Sequence, residues 1–329
     1  METQLAFSTT DLALTRFAIS PMWQVVTSFR LFATDSASPV HAAWIEQVRP
    51  RLAASGLTSG WLAELVPAAH YLADFLTPLP VELAPTLESE LAAIRATPAR
   101  LLDADLDILG QTSDRIRALR SNPEARLVRV TEEIEAYWGV ALAPYWARIS
   151  ALLEADVFRR TRQVAERGSA HLLNDLHTTL RWDENTLRLV RRHCGLSRAA
   201  TGPGLVLVPS AFATQVLTWS RSDVAPQIAY PARGVGTLWE HRPLPRAEAV
   251  AAVIGRSRTV LLAELETPAS TTDLARRIGI SAAAVSQHLT ALRAAGMVST
   301  HRAGRSVLYA RTAVAESLLI PSGSEHVDR

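Results

Sequence analysis

Few side chains in this sequence have the types and spacing that catalysis requires. Cys194 is the only cysteine, which excludes an intrachain disulfide and a site built from several thiolates. It follows His193, but adjacent side chains on a helix point apart, so a Cys–His nucleophile pair is not expected. Ser210 lacks the Gly-x-Ser-x-Gly turn of hydrolases. The sequence therefore predicts no catalytic residue and no enzyme.

Two groups of residues have types that bind metals. Asp103, Asp105 and Asp107 alternate with apolar residues, but the turn glycine and closing glutamate of a calcium loop are missing, so we expect an exposed helix face. His171, His177 and His193 would need partners that the sequence does not place beside them. Hydrogen-bonded or surface histidines are the expected outcome. We predict neither a metal nor a cofactor.

Basic side chains are concentrated towards the C-terminal end. The chain has a formal net charge of +2, and residues 246–320 contain nine arginines and five carboxylates. The residues before this segment are nearly balanced in charge, so the positive potential lies in one place. Such a segment is typical of a surface that contacts a polyanion, and of nucleic acid in particular.

A proline-containing break at residues 242–245 precedes this segment and is the clearest domain boundary in the chain. After it, apolar or small residues recur on one face of a predicted supporting helix that ends before Pro268. These residues are Val250, Val253, Ile254, Ser257, Leu261 and Leu265.

Two shorter helices follow, and their spacing predicts a tight crossing. Thr271 or Thr272 can cap the first helix, and Gly279 ends it. Ser281 can cap the second. Small Ala275 lets the two helices approach through a short turn, as in a helix-turn-helix. The inward residues of the second helix are Val285, Leu289 and Leu292, and its outward residues are Ala282, Ala283, Ser286, Gln287, Thr290 and Arg293.

A hairpin is predicted after the second helix. Residues 298–302 and 305–311 alternate as strands around a turn at residues 303–304. Arg302 and Arg305 lie near the tip, which gives the wing of a winged helix-turn-helix. An ordinary helical domain with a basic hairpin is the alternative, but charge, helix crossing, turn and hairpin all occur in the expected order.

Three motifs carry a resemblance to a known family. LARRIGIS at residues 274–281, VSQHL at 285–289 and LRAAGMV at 292–298 resemble repressors of the ArsR/SmtB type. The resemblance implies that the helix beginning near Ser281 enters the major groove of DNA. Gln287 stands where the family often has arginine, so the base preference stays open between adenine readout and phosphate contact.

The helix faces and the resemblance together predict a set of DNA-contacting residues. They are Thr272, Ser281, Ala283, Ser286, Gln287, His288, Thr290, Arg293, Arg302 and Arg305. Classical family members sense metals through a Cys-x-Cys helix or through Asp/His pairs near the C-terminus. Here TTDLAR occupies residues 271–276, and Glu325, His326 and Asp328 fall in a predicted tail. Metal sensing is therefore not expected.

The part before the boundary reads as mainly helical over its first 170 residues. Residues 179–182 and 186–190 predict a hairpin, and 205–208 and 227–230 two further strands, forming a small antiparallel sheet. FSTTDLA at residues 7–13, VPSAF at 208–212 and YPARGVG at 230–236 resemble an uncharacterised helical domain of actinobacterial regulators. All eight tryptophans precede the boundary, and they serve either an effector pocket or the core.

The predicted fold class is mainly α with small β: an N-terminal helical domain with a small antiparallel sheet, followed by a C-terminal winged helix-turn-helix. The predicted regions are 1–170 (helical, regulatory), 171–241 (small mixed sheet), 246–320 (DNA-binding) and 321–329 (tail). We expect a cytoplasmic, homodimeric repressor of an operator in double-stranded DNA, without a membrane segment. Its N-terminal region would supply dimer contacts, sensing of a small-molecule effector, or both.

Overall fold

The computed structural model describes residues 2–33, 39–68, 71–110, 112–190, 197–198, 203–219, 224–239, 247–303 and 306–319. Contacts divide the chain into two compact units. The first consists of Met1–Ile45, Leu57–Ile134 and Leu152–Val235, and the second of Glu46–Gly56, Glu135–Ala151 and Gly236–Arg329. The second unit thus combines the C-terminal segment with two stretches from the first half of the chain. The boundary predicted at residues 242–245 lies outside the described residues.

The N-terminal part is rich in helices, as its apolar periodicity predicts. Its helices are α1 Thr9–Ala13, α2 Pro21–Ala33, α3 Ala42–Ala54, α4 Trp61–Leu65, α5 Leu87–Arg95, α6 Ala99–Leu109, α7 Asp114–Ser121, α8 Pro123–Ala141, α9 Trp146–Arg167 and α10 Ser169–Asp175. Its strands are β1 Glu2–Ala6, β2 Arg16–Phe17, β3 Leu180–Asp183, β4 Thr186–Val190, β5 Ser197–Arg198, β6 Val206–Ser210, β7 Leu217–Trp219 and β8 Gln227–Pro231.

The predicted hairpin is present in the first sheet, whose strand order is β3-β4-β1-β5. Glu184 and Asn185 connect β3 to β4 with φ values of 45° and 61°, as a two-residue primed turn requires. Strand β1 pairs antiparallel with β4, and Leu5 lies opposite Leu187. The N-terminal residues therefore form a strand that the helical reading of this region did not predict.

The second sheet differs from the prediction in its direction. Its strand order is β2-β6-β8-β7. Strand β6 pairs in parallel with both β2 and β8, and only the β7–β8 pair is antiparallel. The predicted antiparallel pairing is present in the first sheet but not between β2, β6 and β8, because a short apolar strand does not by itself reveal the direction of its partner strand. The overall class, mainly α with small β, is confirmed.

Helix α2 is buried over most of its length, and its polar side chains find partners on the strands. The Nε1 of Trp23 donates to the Oε1 of Gln227 at 2.9 Å, and the Nε2 of Gln24 donates to the carbonyl of Pro209 at 3.1 Å. Trp44 is fully buried, and its ring centroid lies 4.9 Å from that of Phe212. Trp23 and Trp44 are therefore core residues.

The acidic run on α6 does not form the uniformly exposed face that was predicted. Asp105 is buried and accepts hydrogen bonds from the hydroxyl of Tyr71 at 2.9 Å and from the backbone N–H of Phe75 at 2.7 Å. Asp107 is exposed and forms an ion pair with Arg120. A buried carboxylate needs such donors, and Asp105 obtains them from residues about thirty positions earlier in the chain.

The C-terminal part of the second unit has the order of a winged helix-turn-helix. Its elements are α11 Ala247–Ile254, α12 Arg256–Glu264, α13 Thr271–Ile278, α14 Ala282–Ala294, β9 Val298–Ala303, β10 Ser306–Arg311 and α15 Ala313–Leu319. Its core comprises Val250, Leu261, Leu262, Leu265, Ala269, Leu274, Val285, Leu289, Leu292, Val298, Ala315 and Leu319.

The predicted supporting helix is two helices. Gly255 has a φ of 89° and separates α11 from α12. A left-handed residue interrupts the helical period, so the residues on either side no longer share a face. Val253 is 83% exposed and Ser257 is also exposed, which corrects the prediction that both lie on the buried face.

Candidate nucleic-acid interface

Helix α13 begins one residue earlier than predicted. Ser270, rather than Thr271 or Thr272, is the N-cap: its Oγ accepts a hydrogen bond from the backbone N–H of Asp273 at 3.2 Å. Thr271 and Thr272 are the first two residues of the helix. The Ser-x-x-Asp spacing is the signal that identifies this cap in the sequence. The cap also lowers the pKa of Asp273, chiefly through the hydrogen bond from Ser270.

The turn between α13 and α14 is built as the sequence predicts. Gly279 is the C-cap of α13, with a φ of 74°, and its N–H donates to the carbonyl of Ala275 at 2.9 Å. Ser281 caps α14 and accepts a hydrogen bond from the N–H of Ala284 at 3.2 Å. These two caps determine where one helix stops and the next begins.

Helix α14 has one buried and one exposed face. Val285, Leu289 and Leu292 are buried. The opposite face carries side chains at the three- and four-residue spacing of one helix stripe. Its exposed members are Ala283, Ser286, Gln287, Thr290 and Arg293. This polar face has the length and chemistry of a helix that lies in the major groove.

The other predicted contact residues surround this face. Thr272 is exposed on the first turn of α13, and Ser281 is exposed at the start of α14. His288 is half-buried between the two faces of α14, so less of its surface is accessible than predicted for a contact residue. Arg302 is exposed on β9, whereas Arg305 lies outside the described residues.

Two outward hydroxyls already have local partners. The Oγ of Ser281 accepts the capping hydrogen bond, and the Oγ1 of Thr290 donates to the carbonyl of Ser286 at 2.9 Å. Within the described residues, the amide of Gln287 makes no hydrogen bond to the protein. Its donor and acceptor, like the hydroxyl of Ser286, therefore remain available for a base edge.

The wing hairpin is present, and a third segment holds it. Strands β9 and β10 pair antiparallel, with Arg302 opposite Val307 near the tip and Val298 opposite Arg311 at the root. Ala269, between α12 and α13, exchanges two backbone hydrogen bonds with Tyr309, at 3.1 and 2.9 Å. The sequence pattern did not indicate this bridge, because a single residue pair carries no periodicity.

Several arginines of the winged helix-turn-helix are exposed to solvent. They are Arg256, Arg258, Arg276, Arg277, Arg293 and Arg302. Arg276 forms a surface ion pair with Asp273 at 2.7 Å and remains 75% exposed. A surface ion pair of this kind is weak, so its arginine can exchange the carboxylate for a phosphate at little energetic cost.

In the part of the chain that the structure describes, no cluster of three or more His, Cys, Asp or Glu side chains is placed to hold a metal ion. Glu325, His326 and Asp328, as well as His193 and Cys194, lie outside that part. Nor does any described helix combine the length and apolarity needed to cross a membrane.

A family match agrees with this geometry. Residues 259–300, from α12 through the first residues of β9, match the model of a family described as bacterial regulatory protein, arsR family. No curated protein and no solved structure gives a significant match to the chain. The C-terminal segment is therefore an ArsR-type helix-turn-helix domain. The chain that carries it is a DNA-binding transcriptional regulator.

Proposed function

We propose that this regulator is a homodimeric repressor that recognises a specific operator through α14. The observation that carries the proposal is the polar stripe of α14, which lies opposite three buried apolar residues within an ArsR-type domain. In this proposal Ser286, Gln287 and Thr290 face base edges, and Thr272, Ser281, Ala283, His288 and Arg293 lie at or near DNA. Arg302 and Arg305 contact phosphates from the wing.

Dimerisation follows from how little DNA one recognition helix can read. A single helix contacts too few base pairs for useful specificity, and two-fold dimers solve this by binding two half-sites. Val253 on α11 and Val314 on α15 are 83% and 57% exposed, and these two helices contact each other. Apolar side chains exposed on adjoining helices support a contact with a second copy.

Selection of duplexes from a random DNA library with the full-length protein, followed by footprinting, tests both points. We expect a partly palindromic site whose half-site centres lie about one or two helical turns apart. Protection of one asymmetric half-site by a monomer would contradict the dimer.

A matched pair of valine variants tests the surface on α11. Val253→Glu should shift sedimentation towards the monomer and weaken binding to the selected duplex. Val81→Glu is the control, because Val81 is 88% exposed in the first unit and its loss should change neither property. Unchanged sedimentation of the Val253 variant would exclude this surface as the dimer contact.

Repression is tested with the selected site in front of a reporter gene. Because a repressor excludes polymerase, we expect expression to fall when the full-length protein is present and to recover with Gln287→Ala. Higher expression in the presence of the protein would identify an activator instead.

The N-terminal region is proposed to sense an effector, to support the dimer, or both. A cleft of about 630 Å³ in the first unit supports sensing, since ligand sites commonly have this volume. It is lined by Asn174, Thr178, Leu180, Arg181, Trp182 and Asp183. Trp182 makes the cleft testable by fluorescence.

Thermal-shift screening with metabolites and antibiotics separates a sensor from a scaffold, because a ligand that binds only the native state raises its stability. A hit should also quench the fluorescence of the full-length protein and lose that effect in Trp182→Leu. A hit that leaves the variant's response intact binds elsewhere. No hit at all favours the scaffold.

A further inference from the structure

The wing rests on a turn that lies outside the helix-turn-helix. Strands β9 and β10 both contact the 3₁₀ turn Ala143–Tyr145, which belongs to the stretch Glu135–Ala151 of the second unit. Tyr145 is buried, and its hydroxyl donates to the Oε1 of Gln47 at 3.1 Å. Its ring meets that of Trp239 edge-on, with centroids 5.6 Å apart. These contacts to Gln47 and Trp239 hold the turn independently of its contacts with the wing.

Arg148, three residues after this turn, links the same stretch to the winged helix. Its Nη1 donates to the backbone carbonyl of Glu266 at 3.1 Å, and its Nη2 lies 4.0 Å from the Oε1 of Glu266. Both side chains are only 14% exposed. Because water screens such a pair poorly, the Coulomb attraction between these two side chains is greater than in a surface ion pair of the same length.

Glu266 lies close in the chain to the segment that holds the wing. Three residues later, Ala269 makes its two backbone hydrogen bonds to Tyr309 of β10. Glu266 also acts electrostatically on Arg311, the last residue of β10. The Nε of Arg311 lies 3.1 Å from the Oε1 of Glu316 in ion-pair geometry, and both Nε and Nη1 are buried without a hydrogen bond. Charges of both signs therefore meet at the root of the wing.

We propose that Arg148 is a positioning residue for DNA binding, which sets the orientation of the wing through Glu266 and the Ala269–Tyr309 bridge. This inference rests on the proposed phosphate contact of Arg302. Arg302 lies four positions after Val298 at the root of β9, which corresponds to about 13 Å of strand. A small rotation at the root therefore displaces the guanidinium of Arg302 by a distance that matters for a hydrogen bond.

A double-mutant cycle on the full-length protein tests the coupling. Arg148→Gln, Arg302→Ala and the double variant are titrated with salt on a mixed-sequence duplex of about three helical turns. In the wild-type background, Arg302→Ala should reduce the slope of log affinity against log salt by about 0.9. Arg148→Gln should produce most of the same loss, and adding Arg302→Ala to it should change affinity less than about twofold.

Hydrogen exchange of the DNA-free protein gives a second readout that does not depend on the wing touching DNA. Arg148→Gln should speed exchange of the amides of β9 and β10 and leave those of α14 unchanged. Arg148→Lys, which keeps the charge and a donor, should restore both exchange and salt slope in part. Arg129→Gln removes an arginine that is 66% exposed on α8 in the first unit, and it should alter neither.

The two proposals fail in different ways. If Arg302→Ala has no effect in the wild-type background, the wing contact with phosphate is wrong, and exchange alone decides the role of Arg148. Unchanged wing exchange in Arg148→Gln, or strictly additive losses in the cycle, would overturn the positioning role. Equal acceleration of exchange in α14 and in the wing would also overturn it, because it shows general destabilisation.

Discussion

The indole Nε1 of Trp23 and the amide Oε1 of Gln227, 204 positions apart in the chain, form a 2.9 Å hydrogen bond in the core of the first unit. Both side chains are essentially inaccessible to solvent. The Nε2 of Gln227 donates in turn to the backbone carbonyl of Thr77 at 2.8 Å. The side chain of Gln227 on β8 thus forms hydrogen bonds with the indole of Trp23 on α2 and with the backbone of Thr77.

Replacing this glutamine should be costly. Gln227→Leu leaves the Trp23 indole and the Thr77 carbonyl buried without partners, so we expect the free energy of unfolding to fall by about 3 kcal/mol. Urea denaturation monitored by circular dichroism measures the change. Gln287→Leu is the control, because Gln287 is exposed and its replacement should alter stability by less than about 0.5 kcal/mol. Equal effects of the two substitutions would contradict the proposed role of Gln227.

Glu90 should make stability depend on pH. Its carboxylate accepts hydrogen bonds from the Oγ of Ser20 at 2.6 Å and the N–H of Met22 at 2.8 Å, yet burial dominates and raises its pKa from 4.5 to about 7. A raised acid pKa favours the protonated folded state. Its contribution to stability is therefore complete below about pH 4.5 and is lost as the pH rises through about 7.

The comparison that checks this is Glu90→Gln, which cannot ionise. The stability of the wild type relative to this variant should decrease by about 3 kcal/mol between pH 4.5 and 7.5, with a nearly constant slope between about pH 5 and 7 and little change above it. Denaturant midpoints at several pH values give the profile, with the exposed Glu132→Gln as a control for the loss of one carboxylate. A difference that stays flat across this range would refute the raised pKa.

The same substitution at two glycines should change stability in opposite directions. Gly279 has a φ of 74° and open space around its Cα, so Gly279→Ala should cost about 1 kcal/mol through backbone strain alone. Gly139 lies within α8, without a left-handed φ and with no atom near an added Cβ. Gly139→Ala should therefore stabilise the protein by about 0.5–1 kcal/mol. Thermal unfolding of both variants should show shifts of opposite sign, and shifts of the same sign would disprove the argument.

Gln287 and Arg302 should differ in the kind of DNA contact that they make. Gln287→Ala removes the proposed base contact and should weaken binding to the selected operator by about 1–3 kcal/mol, with relaxed preference at one position. Binding to random DNA should barely change. Arg302→Ala should instead weaken both and flatten the salt dependence. Salt titrations of the two variants on both DNAs measure this, and the reverse pattern would exchange the roles of helix and wing.

Short-range features of the fold followed from the sequence. Gly279 ends α13 and Ser281 begins α14, while Val285, Leu289 and Leu292 define its buried face. Each of these features depends on neighbours within one or two helical turns, so residue type and spacing alone are enough to predict it. The prediction was wrong where neighbouring residues offered competing signals. Ser270 caps α13, rather than Thr271 or Thr272. Gly255 divides what the apolar pattern predicted as one helix into two.

Only the tertiary structure decided which distant segments meet. Strand β1 pairs with β4 across about 180 residues, Gln227 is the partner of Trp23, and Arg148 reaches Glu266 beside the wing. None of these pairs has a signature in its own sequence neighbourhood. Bringing such distant segments together closes a long loop, which costs conformational entropy. Only the simultaneous burial and hydrogen bonding of many groups offsets that cost, so no single stretch of sequence indicates the pairing. The residues of α14 predicted the helix and its buried face, whereas the contact between Arg148 and Glu266 beside the wing is visible only in the folded structure.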